Sequence, residues 1–398
     1  MTLYCASIIE SSTETVITAL LSDGKFSRVY LCKYTSKKRS SSSAYVAIKV
    51  YPRENAKLRS QRIMSEKAVL QRISTSNCPY LNKLISTIKD DSNLYILLEA
   101  CHCGSLNLHI RSCSTDGFVP RVARNYAAEI ISALFSLYKC GCVHRDIKPG
   151  NIMVDRYGHL KLCDFGASKI LYPEEDFIKI ENNAKNNAGS FCPRTYSIIG
   201  TMQYMAPEII AKSCGYSIQV DWWALGVLLF EMLCGVPPAF HGVSSSSSFS
   251  DNKNAIEGAM NGTWPDEESS LFALESIQMS SIEQIDSSTS TINSWQPILS
   301  ESHQSILFAT ELSILGWNFI QKLLVPCPEN RLGPWSMNLI QNDPFFDSIN
   351  WEDIHTGKNP PPDLFFNKSL GIMDLVEESE DLGPKDSSIS EENPFEGF

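Results

Sequence analysis

The string His144-Arg145-Asp146-Ile147-Lys148-Pro149-Gly150-Asn151, with Asp164-Phe165-Gly166 thirteen residues after Asn151, constrains this chain more than any other feature. Together the two strings supply a base (Asp146), a cation (Lys148) and two oxygen ligands for magnesium (Asn151 and Asp164). Phosphoryl transfer needs little more, because its catalysis is mostly positioning and charge neutralisation. Asp-Phe-Gly alone is most often a turn. Here it follows two short strands, Ile152 to Val154 and Leu160 to Leu162, joined by Asp155-Arg156-Tyr157-Gly158. That placement favours the chemical reading.

Lys49 sits inside an apolar strand, Ala44 to Val50, where an ammonium is costly unless paired. Glu66 lies on the same helical stripe as Ile63, Leu70 and Ile73. Two misplaced opposite charges on neighbouring elements predict an ion pair. His144 reads as a packing residue, not as an acid or base.

The rest of the pattern predicts a small sheet-rich region followed by helices. Thr15 to Tyr34 gives two strands around Asp23-Gly24, Ala44 to Tyr51 a third, and Leu81 to Ala100 two more around Asp90 to Asn93. Glu54 to Ile73 and Arg121 to Cys140 follow helical spacing. Asp221 is expected to cap a helix, apolar nearly all round through Met232, that belongs in a core. Leu171 to Pro193 and Ser244 to about Thr310 read as surface insertions, the second mostly disordered.

Composition narrows the classes. With 398 residues, 43% hydrophobic, the chain can bury two lobes. A net charge of −11 argues against a broad basic surface for nucleic acid. The longest apolar run, Trp222 to Phe230, is too short to span a bilayer. Thirteen scattered cysteines fit a reduced, cytosolic protein. Cys101-His102-Cys103 and Cys140-Gly141-Cys142 lack the spacing of a zinc finger.

These motifs, with Val46-Ala47-Ile48-Lys49 upstream and Ala206-Pro207-Glu208 downstream, resemble those of eukaryotic protein kinases over about Thr15 to Phe346. Ser65 to Leu70, Asp91 to Tyr95, Asp221 to Val227 and the ending Phe395-Glu396-Gly397-Phe398 are similar to the cyclic-nucleotide-dependent (AGC) group, notably the cyclic-AMP-dependent catalytic subunit. The resemblance implies an α+β bilobal fold, with a five-stranded antiparallel sheet and one main helix in the N-lobe and a mainly helical C-lobe. Residues 1–14 would be an extension and 15–98 the N-lobe. Residues 99–346 would be the C-lobe, with insertions at 171–193 and 244–310, and 347–398 a tail whose Phe-x-x-Phe docks on the small lobe.

It further implies a Ser/Thr protein kinase using ATP and Mg²⁺. Asp146, Lys148, Lys49, Glu66 and Thr201 would be catalytic, and Asn151 and Asp164 would hold metal. Ser22, Gly24, Phe26, Val29, Ala47, Lys49, Leu98, Glu99 and Cys101 would surround ATP, with Phe365 or Phe366 over the adenine. Ser197 would be a phosphosite read by Arg145, Lys169 and Arg62. Glu208 and Arg331 would form a buried pair, and Asp221 would cap the catalytic loop. Glu231 would contact substrate.

Three departures stand out. Ser22 and Ser27 replace the outer glycines of the nucleotide loop, which opens the alternative of a weakly active or pseudokinase scaffold. Ser105 and Gly150 replace two carboxylates that bind substrate arginine in relatives, so a weaker basic preference is expected. Met202 replaces the proline of the peptide loop. Protein substrates, an upstream kinase and a separate regulatory chain are the expected partners of a monomeric catalytic chain in the cytoplasm or nucleus.

Overall fold

The computed structural model describes residues 13–24, 27–36, 43–53, 60–113, 117–185, 193–211, 215–240 and 297–362. The expectations for Phe26, Phe365, Phe366, Phe395 and Phe398 lie outside them, as do residues 1–12 and most of the serine-rich stretch.

Five strands form one antiparallel sheet in the order β1-β2-β3-β5-β4. They are β1 (Thr13–Asp23), β2 (Arg28–Ser36), β3 (Ser43–Pro52), β4 (Leu84–Lys89) and β5 (Asn93–Glu99). Alternation along β3 sets its two faces. Val46, Ile48 and Val50 join Cys32, Tyr95 and Leu97 in a small cluster on one side. Lys49 and Tyr51 point the other way, toward helix α1 (Ser60–Ser74). Ile63, Glu66, Lys67, Leu70 and Ile73 form the buried stripe of α1.

The second lobe is built on α2 (Leu106–Ser112) and α3 (Pro120–Lys139). Pro120 begins α3, where its missing N–H is not needed. Gly141 turns the chain out of α3 at φ 70°, and a Cβ there would lie 2.0 Å from the Tyr172 carbonyl oxygen. Beyond it come β6 (Cys142–Val143), β7 (Ile152–Val154), β8 (Leu160–Leu162), β9 (Lys169–Ile170) and α4 (Phe177–Lys185). Then follow α5 (Pro207–Ala211) and α6 (Gln219–Cys234), whose Trp222 and Trp223 are fully buried. The described residues end with β10 (Ala239–Phe240), β11 (Pro297–Ile298), α7 (Glu301–Leu307), α8 (Glu311–Leu323), α9 (Met337–Gln341) and α10 (Trp351–Thr356). Among the described residues no helix is long and apolar enough to cross a membrane.

Four sequence expectations need correction. Residues 171–193 are not merely a surface insertion: Phe177 and Ile180 of α4 are buried, and Phe177 meets Phe135 and Trp335 at 5.9 and 6.0 Å. Their i, i+3 spacing outweighs the polar composition around them. Residues 297–310 are not disordered: β11 pairs with β10, and α7 buries Leu307. Packing also continues past residue 346. Asn350 caps α10, His355 meets Ser132 of α3 at 3.0 Å, and Asn359 donates to Glu129 at 3.0 Å. Asp221 does not cap its own helix: Ile218 holds that position, and the Asp221 side chain is directed elsewhere.

Candidate active site

Four segments converge where the sheet meets the helical lobe. From β3, Lys49 Nζ lies 2.7 Å from Glu66 Oε1 and 2.9 Å from Asp164 Oδ1. Burial opposes the lysine's charge, but the two carboxylates outweigh it and hold its pKa well above the ordinary value. The charge of Lys49 in turn holds Asp164 well below the usual carboxylate range. Asp164 occupies the left-handed region (φ 56°, ψ 77°), where its side chain accepts from Gly166 N. A non-glycine residue in that region signals a constraint set by its surroundings.

The loop after β6 carries the second half. Asp221 Oδ2 and Oδ1 accept from the backbone N–H groups of His144 and Arg145 at 2.8 and 2.7 Å. Burial raises the Asp221 pKa, against the pull of His144 and of these amides. His144 is fully buried against Phe165 and hydrogen-bonds the Cys163 carbonyl. Arg145, at φ 72°, can therefore sit in a conformation it would not choose alone.

Asp146 is held from three sides. The N–H and hydroxyl of Thr201 donate to Oδ1 at 2.9 and 2.8 Å. Asn151 Nδ2 donates to Oδ2 at 2.7 Å and to the Asp146 carbonyl at 2.8 Å. Lys148 Nζ lies 2.9 Å from Oδ2 and donates to the Thr201 hydroxyl at 2.6 Å. Gly200 permits this approach: at φ 116°, a Cβ on it would sit 2.5 Å from the Arg145 carbonyl oxygen.

The remaining site residues fall as follows. Ser22 pairs with Val29 across β1 and β2, and Gly24 N donates to Ser27 O at 3.0 Å. Ala47 faces Leu98 in the sheet register. The Glu99 side chain pairs with Lys161 at 3.1 Å. Cys101 is buried, and Asn82, which the sequence reading missed, donates to its sulfur and to the Glu99 carbonyl. Arg145 Nη1 donates to Ser197 Oγ at 2.8 Å. Lys169 reaches Thr195 instead, and Arg62 donates to the Gly166 carbonyl at 2.8 Å. Glu231 is buried and accepts from Tyr204 at 2.5 Å.

The donors suit a hard cation. Asn151 uses its amide nitrogen on Asp146, which leaves its carbonyl oxygen as an acceptor, and Asp164 is kept ionised. Oxygen ligands of this number suit Mg²⁺ shared with phosphates. Among the described residues no cluster of three or more His, Cys, Asp or Glu side chains is arranged to hold a metal alone.

A profile described as the protein kinase domain matches residues 16–346. The chain belongs to the protein kinase family. The kinase domain is 38% identical over 224 residues to the cAMP-dependent protein kinase catalytic subunit PRKX of Mus musculus, covering 56% of this chain and 54% of that protein. It is 28% identical over 381 residues to a "cAMP-dependent protein kinase, catalytic subunit-like" protein of Caenorhabditis elegans, covering 94% of this chain and 75% of the relative. Against the serine/threonine-protein kinase Sgk3 of Rattus norvegicus, identity is 30% over 360 residues, 90% of this chain and 56% of the relative. All three are AGC-group Ser/Thr kinases. The chain thus spans just over half the length of PRKX and Sgk3.

Proposed function

We propose that this kinase domain transfers the γ-phosphate of ATP to Ser or Thr hydroxyls of proteins. One observation carries the reading: Asp146 is fixed by Thr201, Lys148 and Asn151 while Lys49 is fixed between Glu66 and Asp164. Asp146 orients the acceptor hydroxyl and accepts its proton. Lys148 neutralises the transferring phosphoryl group, and Lys49 holds the α- and β-phosphates. Mg²⁺, held by Asn151 and Asp164, supplies positive charge to the phosphate oxygens when bound.

Thr201 and Lys148 support Ser/Thr over Tyr as acceptor. Ser105 offers no carboxylate, and Gly150 has no side chain to offer one. A strict requirement for upstream arginine is therefore not expected. Ser197 is proposed as an activating phosphosite read by Arg145.

Radiolabel transfer from ATP to a Ser/Thr substrate library, wild type against Asp146→Asn, tests the activity. Transfer by the wild type and its loss in the variant are expected. Two equally inert proteins that still bind nucleotide would replace the reading with a scaffold.

A further inference from the structure

Both oxygens of the Glu66 carboxylate are occupied, and only one of them by Lys49. Tyr51 donates its hydroxyl to Glu66 Oε2 at 2.5 Å, while Lys49 Nζ meets Oε1 at 2.7 Å. The two donors come from one strand at positions i and i+2, so the pleat of β3 aims both at α1. Tyr51 is 7% exposed and Glu66 1%. The Lys49 ammonium also lies 5.4 Å from the centre of the Tyr51 ring.

We propose that Tyr51 is a positioning residue for phosphoryl transfer, holding Glu66 so that Lys49 stays aimed at the nucleotide phosphates. This rests on the kinase reading above. A buried carboxylate that loses one donor keeps the desolvation cost of the bare oxygen. It relieves that cost by turning toward water, and α1 turns with it. Tyr51 removes the incentive. Its hydroxyl stays protonated because burial, then the Glu66 charge, raises its pKa beyond any working pH. Tyr51 therefore always has a proton to donate to Glu66. Two further contacts fasten the same helix to the segment after Asp164: Arg62 to the Gly166 carbonyl, and Ser65 to the Ser168 carbonyl at 3.1 Å.

The signature lies in how the loss divides between binding and turnover. Lys49 contacts phosphates present in both ground and transition states, so loosening it removes uniform binding. Tyr51→Phe keeps the ring and deletes only the hydroxyl. It is expected to raise KM for ATP about tenfold, the factor set by one hydrogen bond to a charged group, and to lower kcat much less. Affinity for a fluorescent ADP analogue, measured on the full chain, should fall by the same factor. Lys49→Met gives the limit of a lost contact.

Unchanged KM and unchanged analogue affinity in Tyr51→Phe would overturn the proposal, as would a loss confined to kcat. If Tyr51→Phe folds poorly, analogue affinity at 10 °C, corrected for the folded fraction by circular dichroism, decides by the same criterion. If the wild type transfers no phosphate, the kinase reading fails, and analogue affinity alone still judges Tyr51.

Discussion

Arg331 grips Glu208 with both arms of its guanidinium, Nη1 to Oε1 at 2.7 Å and Nη2 to Oε2 at 2.9 Å, and the arginine side chain is wholly buried. The remaining donors go to the carbonyls of Val325, Gln219 and Pro326. The pair fastens the start of α5, just after the peptide loop, to the base of the lobe. Replacing one partner leaves the other charged and unpaired in the core. Arg331→Met is expected to cost about 3–5 kcal/mol, and Arg331→Met with Glu208→Leu clearly less. Urea unfolding of the wild type, Arg331→Met, Glu208→Leu and the double variant checks this. A double variant as unstable as the sum of the single changes would show that the charges are not acting as a pair.

Thr201 Oγ1 accepts from Lys148 and donates to Asp146, so it relays position between the cation and the base. Thr201→Val keeps the shape and removes the relay. Its kcat is expected to fall about tenfold to a hundredfold, the range for misplacing a catalytic group by a fraction of an ångström to an ångström. KM for ATP should barely move, because Lys49 is untouched. Thr201→Ser should restore most of the rate. Steady-state kinetics on one peptide substrate suffice, and equal rates for Val and Ser at this position would deny Thr201 this role.

The five-stranded sheet was legible because apolar runs were separated by Asp23-Gly24 and Asp90 to Asn93, local signals that no tertiary contact had to supply. Lys49 and Glu66 were legible for a different reason: each was a charge on an apolar face. Tyr51 gave no such signal, since a tyrosine on a half-buried strand looks ordinary whether or not its hydroxyl has a partner. The sequence neighbourhood of Arg62 gives no sign that it donates to the Gly166 carbonyl, a partner 104 residues away. Helix α4 and residues 297–310 were hidden by polar composition, although the Ser300 cap and the Phe177–Ile180 spacing were present in the chain. Composition averages over a segment, whereas packing depends on which few residues share a face.

Ser197 lies where a phosphate would complete an existing contact. Arg145 already donates to its hydroxyl, and Tyr216 donates to its carbonyl. Phosphorylation turns the acceptor of this cationic donor from a neutral hydroxyl into an anion. Phosphatase treatment of the phosphorylated protein is expected to lower kcat about tenfold, the worth of one hydrogen bond to a charged group. In Arg145→Gln the treated and untreated proteins should have equal rates. A phosphate-dependent rate that survives in Arg145→Gln would assign the contact to another cation.

Glu231 ties stability to pH. Burial lifts its pKa from the ordinary 4.5 to about 7, partly offset by the hydrogen bond from Tyr204 and the charge of Arg111. Because the folded protein holds this proton more tightly than the unfolded chain, the stabilisation is complete below pH 4.5. It is lost as pH rises from 4.5 through about 7. A tenfold difference in proton affinity is worth about 1.4 kcal/mol, so the full loss is about 3 kcal/mol. Glu231→Gln keeps an acceptor for Tyr204 and removes the titration. The variant is expected to match the wild type in stability near pH 4.5, gain on it up to pH 7, and stay ahead by a constant margin above that. Urea midpoints at half-unit steps from pH 4.5 to 8.5 measure the difference curve. A flat curve would mean that Glu231 ionises in the folded protein as it does in water, and that its surroundings are wetter than its burial implies.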